Sequence, residues 1–352
     1  MGYIRGEHSV SAFASAALVF LIVWWAWSQF TWLGNAIDLD ERWNRLAVLI
    51  ATGSAFFMAK GVADAFDEGA QWFTVSYGVT MAIGLGLYWR GVRGDRELQK
   101  ALGAYTSIAA PAVLILVAAG FVNSDYRTWV YLLAIAGFVM SGVTASNRAA
   151  FRIAPAHFAE RHSLIVIIAL GESMIAVGVA ATGIENSRLA ITAIVFGVIG
   201  ALALWWAYFD WFADKTEGYL RRRPDERQAA FARDAYTYGH YPMVYGIVAY
   251  AVAVEEAVAH PEEALDAAGR FGLGAGLGLY LLATVVVHRR SGGSILVERV
   301  VAAIVMATIA AFASDLDGVV ALILVVIVLV AAMALDRYRH RSTLLADVAS
   351  NQ

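Results

Sequence analysis

No cysteine occurs anywhere in the chain, so disulfides, thiol catalysis and Cys-ligated metals are excluded. Charge is also scarce. Only 16% of residues are Asp, Glu, Lys or Arg, against about a quarter in soluble domains, and they sit in short patches between long apolar runs. Lysine occurs three times beside 23 arginines, a usage that fits a GC-rich bacterial genome. The seven histidines are scattered, with no spacing of a metal-binding helix motif. There is no nucleophile elbow and no paired-aspartate cluster, so neither a metal, a cofactor nor an enzyme activity is expected. No cleavable leader is expected either: the first apolar run, 9–33, is too long for a signal h-region and lacks a small-residue cleavage site.

What fills the 352 residues is hydrophobic side chain, at 60%. A spanning helix needs about 20 apolar residues. Such runs lie at 9–33, 46–66, 71–89, 101–122, 128–147, 162–182, 188–212, 236–258, 271–288, 296–313 and 318–335. The sequence predicts an all-α polytopic membrane protein of about eleven transmembrane helices, folded as a single transmembrane domain over 1–352. Basic residues test that reading, because short cytoplasmic connections collect them. The connections 34–45, 90–100, 148–161, 213–235 and 288–299 and the tail after 335 hold 2, 4, 3, 6, 3 and 3. The opposite side holds only Arg5, Arg127, Arg188 and Arg270. Rich and poor connections alternate throughout, which predicts a bacterial inner-membrane protein with a cytoplasmic C-terminus. It also accounts for the basic residues without nucleic acid; membrane lipids are the expected surroundings. The sequence assigns no oligomeric state.

Two echoes suggest internal duplication. Trp24-Trp25-Ala26-Trp27 is matched by Trp205-Trp206-Ala207-Tyr208, and Gly84-Leu85-Gly86-Leu87-Tyr88 by the stretch from Gly276 to Tyr280. Asp40-Glu41-Arg42 and Asp225-Glu226-Arg227 follow the Trp-rich helix in each half. Aligned this way, runs one to five match seven to eleven, and the sixth opens the second half without a partner. The expectation is a 6+6 parallel repeat lacking its first helix, with an incomplete half at 1–150 and a complete one at 151–352. Chance recurrence of Trp, Gly and Leu is the plain alternative.

Phe158-Ala159-Glu160-Arg161-His162-Ser163-Leu164, followed by Ile167-Ile168-Ala169-Leu170-Gly171-Glu172-Ser173, resembles the signature of the bacterial low-temperature-requirement A family. Trp24 to Trp27 with Phe30-Thr31-Trp32, the run Trp205 to Asp210, and Gly239-His240-Tyr241-Pro242 add to the resemblance, which covers nearly the whole chain. It implies a multi-pass membrane protein named for a cold-growth phenotype. It also implies an opening helix with an acidic, Phe-rich motif of the Glu-Leu-Phe-Phe-Asp type, which is absent from these residues. Where the family tends to carry a basic residue in the run 71–89, this chain has Met81. Lys60, in the neighbouring run, looks unusual for the family.

Ionisable groups at bilayer depth are costly and usually face the protein interior. Glu172 lies mid-run in 162–182, roughly 15 Å from either end. Gly171 beside it permits close approach and Ser173 supplies a hydroxyl; the bland reading is a hydrogen-bonded packing group. Asp210 and His240 fall near the ends of consecutive helices joined by a cytoplasmic connection. They are expected to meet as an acid–histidine pair, with Tyr208 and Tyr238 as further hydrogen-bonding groups, or else to be interfacial residues. Pro242 is expected in the first turns of its helix, where proline is tolerated. Lys60 is expected near the outer end of its helix, with Asp64 as an i,i+4 partner and Glu255 and Glu256 within reach, or as an interfacial charge. The Trp clusters read as interface anchors or as a stacking site for a cationic or sugar substrate. The run Gly272 to Gly278 reads as small-residue packing. Residues 217–235, with Arg221-Arg222-Arg223, read as a cytoplasmic surface helix touching anionic lipid.

These features together predict a proton-coupled secondary transporter of a small solute or lipid-like molecule. Glu172 would be the proton site, linked inward by Asp210 and His240 and outward by Lys60 and Glu255. A non-catalytic sensor or scaffold in cold adaptation and a membrane-embedded lipid-modifying enzyme are the alternatives.

Overall fold

The computed structural model describes residues 10–38, 40–146, 151, 153–182 and 187–350. Side chains are described from 11 through 339, those of Asp225 and Glu226 excepted. Helices occupy all eleven expected positions: α1 (Val10–Leu33), α2 (Arg42–Lys60), α3 (Ala70–Gly91), α4 (Arg96–Ala119), α5 (Ser124–Ser146), α6 (Pro155–Ala180) and α7 (Arg188–Phe209), then α8 (Phe212–Arg222), α9 (Asp225–Ala232), α10 (Gly239–Ala259), α11 (Ala267–Phe271), α12 (Leu277–Arg290), α13 (Val297–Phe312) and α14 (Gly318–Ser350). One π-helical segment, Arg233–Tyr238, joins α9 to α10, and another, Gly272–Gly276, joins α11 to α12.

Among the described residues nine helical stretches are long and apolar enough to cross a membrane. The two expected spans that fall short are α2 and α3, diluted by Arg42, Asn44, Arg45 and Lys60 in one and by Gln71, Thr74, Ser76 and Thr80 in the other. They form one consecutive hairpin. Removing a pair of crossings returns the chain to the same side, so the alternation of basic connections after residue 91 is indifferent to whether this hairpin spans.

Helix α10 is the centre of the second half. It packs on α6, α12, α7 and α14 and touches α1, and 15 of its 21 residues are buried. Close packing needs small residues, and the Gly-rich π segment provides them. A Cβ on Gly276 would sit 2.8 Å from that of Ala249, and one on Gly274 would lie 3.2 Å from the Ala307 backbone. The first half, α1 to α5, has its own core of Phe73, Tyr77, Met81, Leu116, Tyr131 and Phe138. The second half is built around residues such as Phe158, Tyr208, Tyr250 and Tyr280.

Helix α1 is the seam between them. Trp24 belongs to the second-half core and Trp25 to the first-half core, because adjacent residues on a helix point about 100° apart. Both are buried, at 2% and 6% exposure, whereas Trp205 and Trp206 are 43% and 40% exposed. The first Trp cluster is therefore interior structure, not the interface anchor the sequence suggested; burial came from the second half, which a local reading does not see. The two Gly-Leu-Gly-Leu-Tyr stretches end alike: Tyr88 donates to the Trp32 carbonyl and Tyr280 to the Leu204 carbonyl. The accepting residues lie at different places relative to the Trp pairs.

Several charges counted as loop residues are structural. Arg299 is fully buried. Its guanidinium contacts Asp336 at 2.6 Å and also donates to Thr284 and the Ala207 carbonyl. Arg127 is also buried and donates to the carbonyls of Ala119, Phe66, Asp67 and Val122, tying together the turns after α2 and α4. Residues 212–232 form two helices rather than one surface helix, and α8 turns Phe212, Thr216 and Leu220 into the protein.

Candidate functional site

The polar groups gather at the seam, near the helix ends that adjoin the Arg-rich connections. His162, two turns into α6, and His240, at the start of α10, lie edge to face with ring centroids 5.2 Å apart. Trp27, Phe158 and Tyr236 complete the enclosure of His162, at 5.0, 4.7 and 5.1 Å between centroids. Both imidazoles are fully buried.

Their hydrogen bonds fix their tautomers. A carbonyl oxygen only accepts, so His162 Nδ1, 2.9 Å from the Phe158 oxygen, carries the proton, as does His240 Nδ1, 2.9 Å from the Ala235 oxygen. In the neutral rings each Nε2 is then an acceptor. His240 Nε2 receives the Tyr208 hydroxyl at 2.7 Å. Tyr208 can in turn accept from Ser163, 3.4 Å away. Among the described residues His162 Nε2 is buried with no partner, and so is the Tyr236 hydroxyl. The site thus holds one satisfied relay, Ser163 to Tyr208 to His240, and beside it one acceptor nitrogen without a partner among the described residues.

The π segment places His240. A π turn widens the backbone and recurs at functional sites; here the Ala235 carbonyl lies within reach of the imidazole five residues on. Pro242 is the fourth residue of α10, in its first turns as expected, and the π segment continues the helical path ahead of it. From α1, Trp24 Nε1 donates to the Thr237 carbonyl at 2.7 Å and Trp32 Nε1 to the Thr237 hydroxyl at 3.0 Å. Two indoles of the first half therefore hold the π segment of the second.

On the other side of that contact lies a small cavity of about 70 Å³. Trp25, Trp32, Tyr88, Tyr105 and Phe151 supply its aromatic walls, with Arg233 and Thr237 contributed by the π segment. Among the described residues, two buried polar atoms of the lining have no partner: Ser28 Oγ and Gln29 Oε1.

The residues expected to form the site are dispersed. Asp210 does not meet His240. It pairs with Arg337, whose guanidinium also lies over the Trp206 ring, while both nitrogens of His240 are engaged elsewhere. Tyr238 donates to the Val139 carbonyl, away from both. Helix α6 starts at Pro155 rather than near 162, so Glu172 lies about 12 Å from its C-terminal end and about 25 Å from its N-terminal end. Glu172 and Gly171 are exposed on the outside of the bundle, beside Ile168 and Ile175. Ser173 is buried and donates back to the Ala169 carbonyl. Helix α2 ends at Lys60, so Asp64 is in the following turn and not an i,i+4 helical partner. Lys60 is exposed and its Nζ stands 5.9 Å from the Trp72 ring centroid. Among the described residues no ion pair joins it to Asp64, Glu255 or Glu256. Glu255 is half-buried on the last turns of α10, and Glu256 accepts the Asp266 amide at 2.7 Å. Among the described residues no three His, Asp or Glu side chains converge on one point.

The residues that do converge were visible in part. His162 stands within the Arg-His-Ser motif, and the Ser28-Gln29 pair is a polar interruption in an apolar, Trp-rich run. Tyr236 and Arg233 carried no local signal, since the π turn that presents them has none.

A family model described as Bacterial low temperature requirement A protein (LtrA) matches residues 3–334. An uncharacterized protein of Rhizobium meliloti (strain 1021) is 25% identical over 272 residues, covering 73% of this chain and 65% of that protein. The chain therefore matches slightly less than two-thirds of that relative's length. No solved structure matches.

Proposed function

The chain belongs to the bacterial low temperature requirement A family, and we propose that this multi-pass membrane protein is a proton-coupled secondary transporter of a small solute or lipid-like molecule. In this reading it sits in the bacterial inner membrane with its C-terminus in the cytoplasm. The observation that carries the reading is the Nε2 of buried His162, without a partner among the described residues, its ring centroid 5.2 Å from that of the relayed imidazole of His240, with a cavity at the seam of the two halves on the far side of the Trp–Thr237 contact.

Transporters commonly bind their cargo between two packed halves and move by rocking one against the other. The seam here is held by side-chain hydrogen bonds from Trp24 and Trp32 to one residue, Thr237. A proton reaching His162 Nε2 creates a cation inside an aromatic enclosure, and two imidazolium charges at that separation repel, so the pair carries one at a time. A proton placed on His240 instead displaces the Tyr208 hydroxyl hydrogen, which must turn toward Ser163. Either event changes the contacts of the π segment that lines the cavity, and this couples the proton to the cargo. The duplicated 6+6 plan, if it underlies the two halves, would supply the symmetry for such rocking. Glu172, on the outside of α6, is secondary in this scheme. Its exposure favours a second reading, a non-catalytic membrane protein that docks a partner on that face.

Proteoliposomes containing a trapped pH dye test the proposal. Screening solutes and lipid-like molecules should reveal one that drives proton movement in the wild type and not in His162→Gln. If none of a broad panel moves protons while the purified protein is folded, the docking reading replaces transport.

A further inference from the structure

We propose that two copies of the chain pair along the exposed face of α6, with the Glu172 carboxyls of the two copies hydrogen-bonded to each other. The pairing rests only on the multi-pass character of the chain and holds whether or not it transports.

Glu172 sets the problem. Residues 164–180 of α6 carry no other charge, and eight residues, about 12 Å of helix, lie on either side of it. An ionisable group at bilayer depth is costly and normally turns to the protein interior or to a partner. Glu172 is exposed instead, and among the described residues its carboxyl has no hydrogen-bond or ion-pair partner. Lipid chains supply none. Ser173, the next residue, is buried and donates back within its own helix.

The glycines of the same face raise the matter independently. Glycine weakens a helix relative to alanine, and elsewhere in the bundle it has a packing reason. A Cβ on Gly197 would run into Val254, and one on Gly200 into the Tyr250 hydroxyl. Gly171 and Gly178 have no such reason: nothing lies within 4 Å of either Cβ position. They stand seven residues apart, on the face that carries Glu172 with exposed Leu164, Ile168 and Ile175. Small residues on a membrane helix let another helix come close. Gly53 and Gly86 are open in the same way, but no charged residue stands in the middle of α2 or α3. Among the described residues the two features coincide on α6 alone.

The carboxyl also selects what covers it. In its neutral form it both donates and accepts, so it is complementary to a second carboxyl. Homo-oligomers mostly close about a twofold axis that sets one patch against itself. An axis along the membrane normal leaves depth unchanged, so it brings Glu172 opposite Glu172 and glycine opposite glycine. Among the described residues no exposed basic side chain stands in the apolar middle of a helix. Copies of this chain therefore have no cation to offer Glu172 at its depth, and the carboxyls meet each other.

The full, cysteine-free chain in liposomes tests this. Single-molecule photobleaching across a series of lipid dilutions should count two copies per spot at high protein density. Ile168→Cys or Ile175→Cys should form an intermolecular disulfide under copper–phenanthroline oxidation. Leu133→Cys on α5, where the leucine is as exposed as Ile175 at 60%, should not. Glu172→Leu should weaken pairing about tenfold, the effect of losing one interhelical hydrogen-bonded contact in a membrane. Glu172→Gln keeps a donor and an acceptor and should stay within about twofold of the wild type. Glu172→Lys should not pair with itself but should pair with the wild type. A side chain begun at Gly171 meets no atom of its own chain within 4 Å, so Gly171→Leu should fold and yet pair about tenfold more weakly. A wild-type chain that stays single at every dilution, equal disulfide yields for Leu133→Cys and Ile175→Cys, or pairing indifferent to either Glu172→Leu or Gly171→Leu would each overturn the inference, whatever other protein is captured on that face. None of these outcomes bears on solute-driven proton movement, which tests the transport reading separately.

Discussion

His162 and His240 face each other across the α6–α10 contact with their Nδ1 protons directed to separate backbone carbonyls and their Nε2 atoms in unequal positions, one accepting from Tyr208 and one without a partner among the described residues. Two chemically identical side chains thus differ in what a neighbouring substitution costs them.

Two tyrosines beside His240 provide the first comparison. Tyr208→Phe leaves His240 Nε2 buried and unpaired, and should destabilise the purified protein by about 1–3 kcal/mol. Tyr236 stacks on the same ring at 5.0 Å but its hydroxyl has no partner, so Tyr236→Phe should be neutral or stabilising. Thermal unfolding in detergent separates them. The reverse order would mean that the hydrogen-bond assignment is wrong.

Arg299 and Asp336 form a buried ion pair joined by Thr284 and by the Trp211 indole N–H at 3.2 Å. Removing one member strands the other charge. Arg299→Met or Asp336→Leu should each cost about 3–5 kcal/mol, and the double variant should recover most of that loss. A double-mutant cycle reads the coupling; additive losses would show that the pair does not act as a unit.

Arg127 and Arg188 were equivalent in the sequence, two basic residues on the charge-poor side. In the structure Arg127 donates to four backbone carbonyls while Arg188 is exposed at the start of α7. Arg127→Gln should lower stability by several kcal/mol, since hydrogen bonds to charged groups contribute about 1.5–3 kcal/mol each. Arg188→Gln should change it by less than about 0.5 kcal/mol. Similar melting temperatures for the two variants would refute the stapling role.

Glu172 is exposed on α6. Glu172→Gln should therefore leave the thermal stability of the isolated protein unchanged within about 0.5 kcal/mol. A large loss in detergent would place the carboxyl in a buried bond, contrary to this geometry.

The helical, multi-pass character was legible because apolar runs and basic connections are properties of contiguous residues. Even the stretches 128–147 and 296–313 came out as α5 and α13. The α2–α3 hairpin was less legible, since its run lengths suffice for spans while its basic residues, hydroxyls and amides lower its apolarity. The site was legible only in fragments. Glu172 stood out because a carboxyl in an apolar run is conspicuous, yet which way it points depends on the helix partners of α6. Asp210 and His240 are near in sequence topology, but Arg337, from a helix more than a hundred residues later, claims the carboxylate. His162 meets His240 because α6 packs on α10, and Trp24 reaches Thr237 across 213 positions. Such contacts are set by packing and leave no local pattern.

The cysteine-free chain allows a direct test of alternating access. A single thiol at Ser28→Cys should react with a membrane-impermeant maleimide from the Arg-rich side, which the proposal places in the cytoplasm, in inverted vesicles. Under an imposed proton gradient with a stabilising solute present, the same thiol should become reactive from the opposite side in right-side-out vesicles. That switch is the result transport predicts. Reactivity from one side only, whatever the gradient and solute, would contradict it.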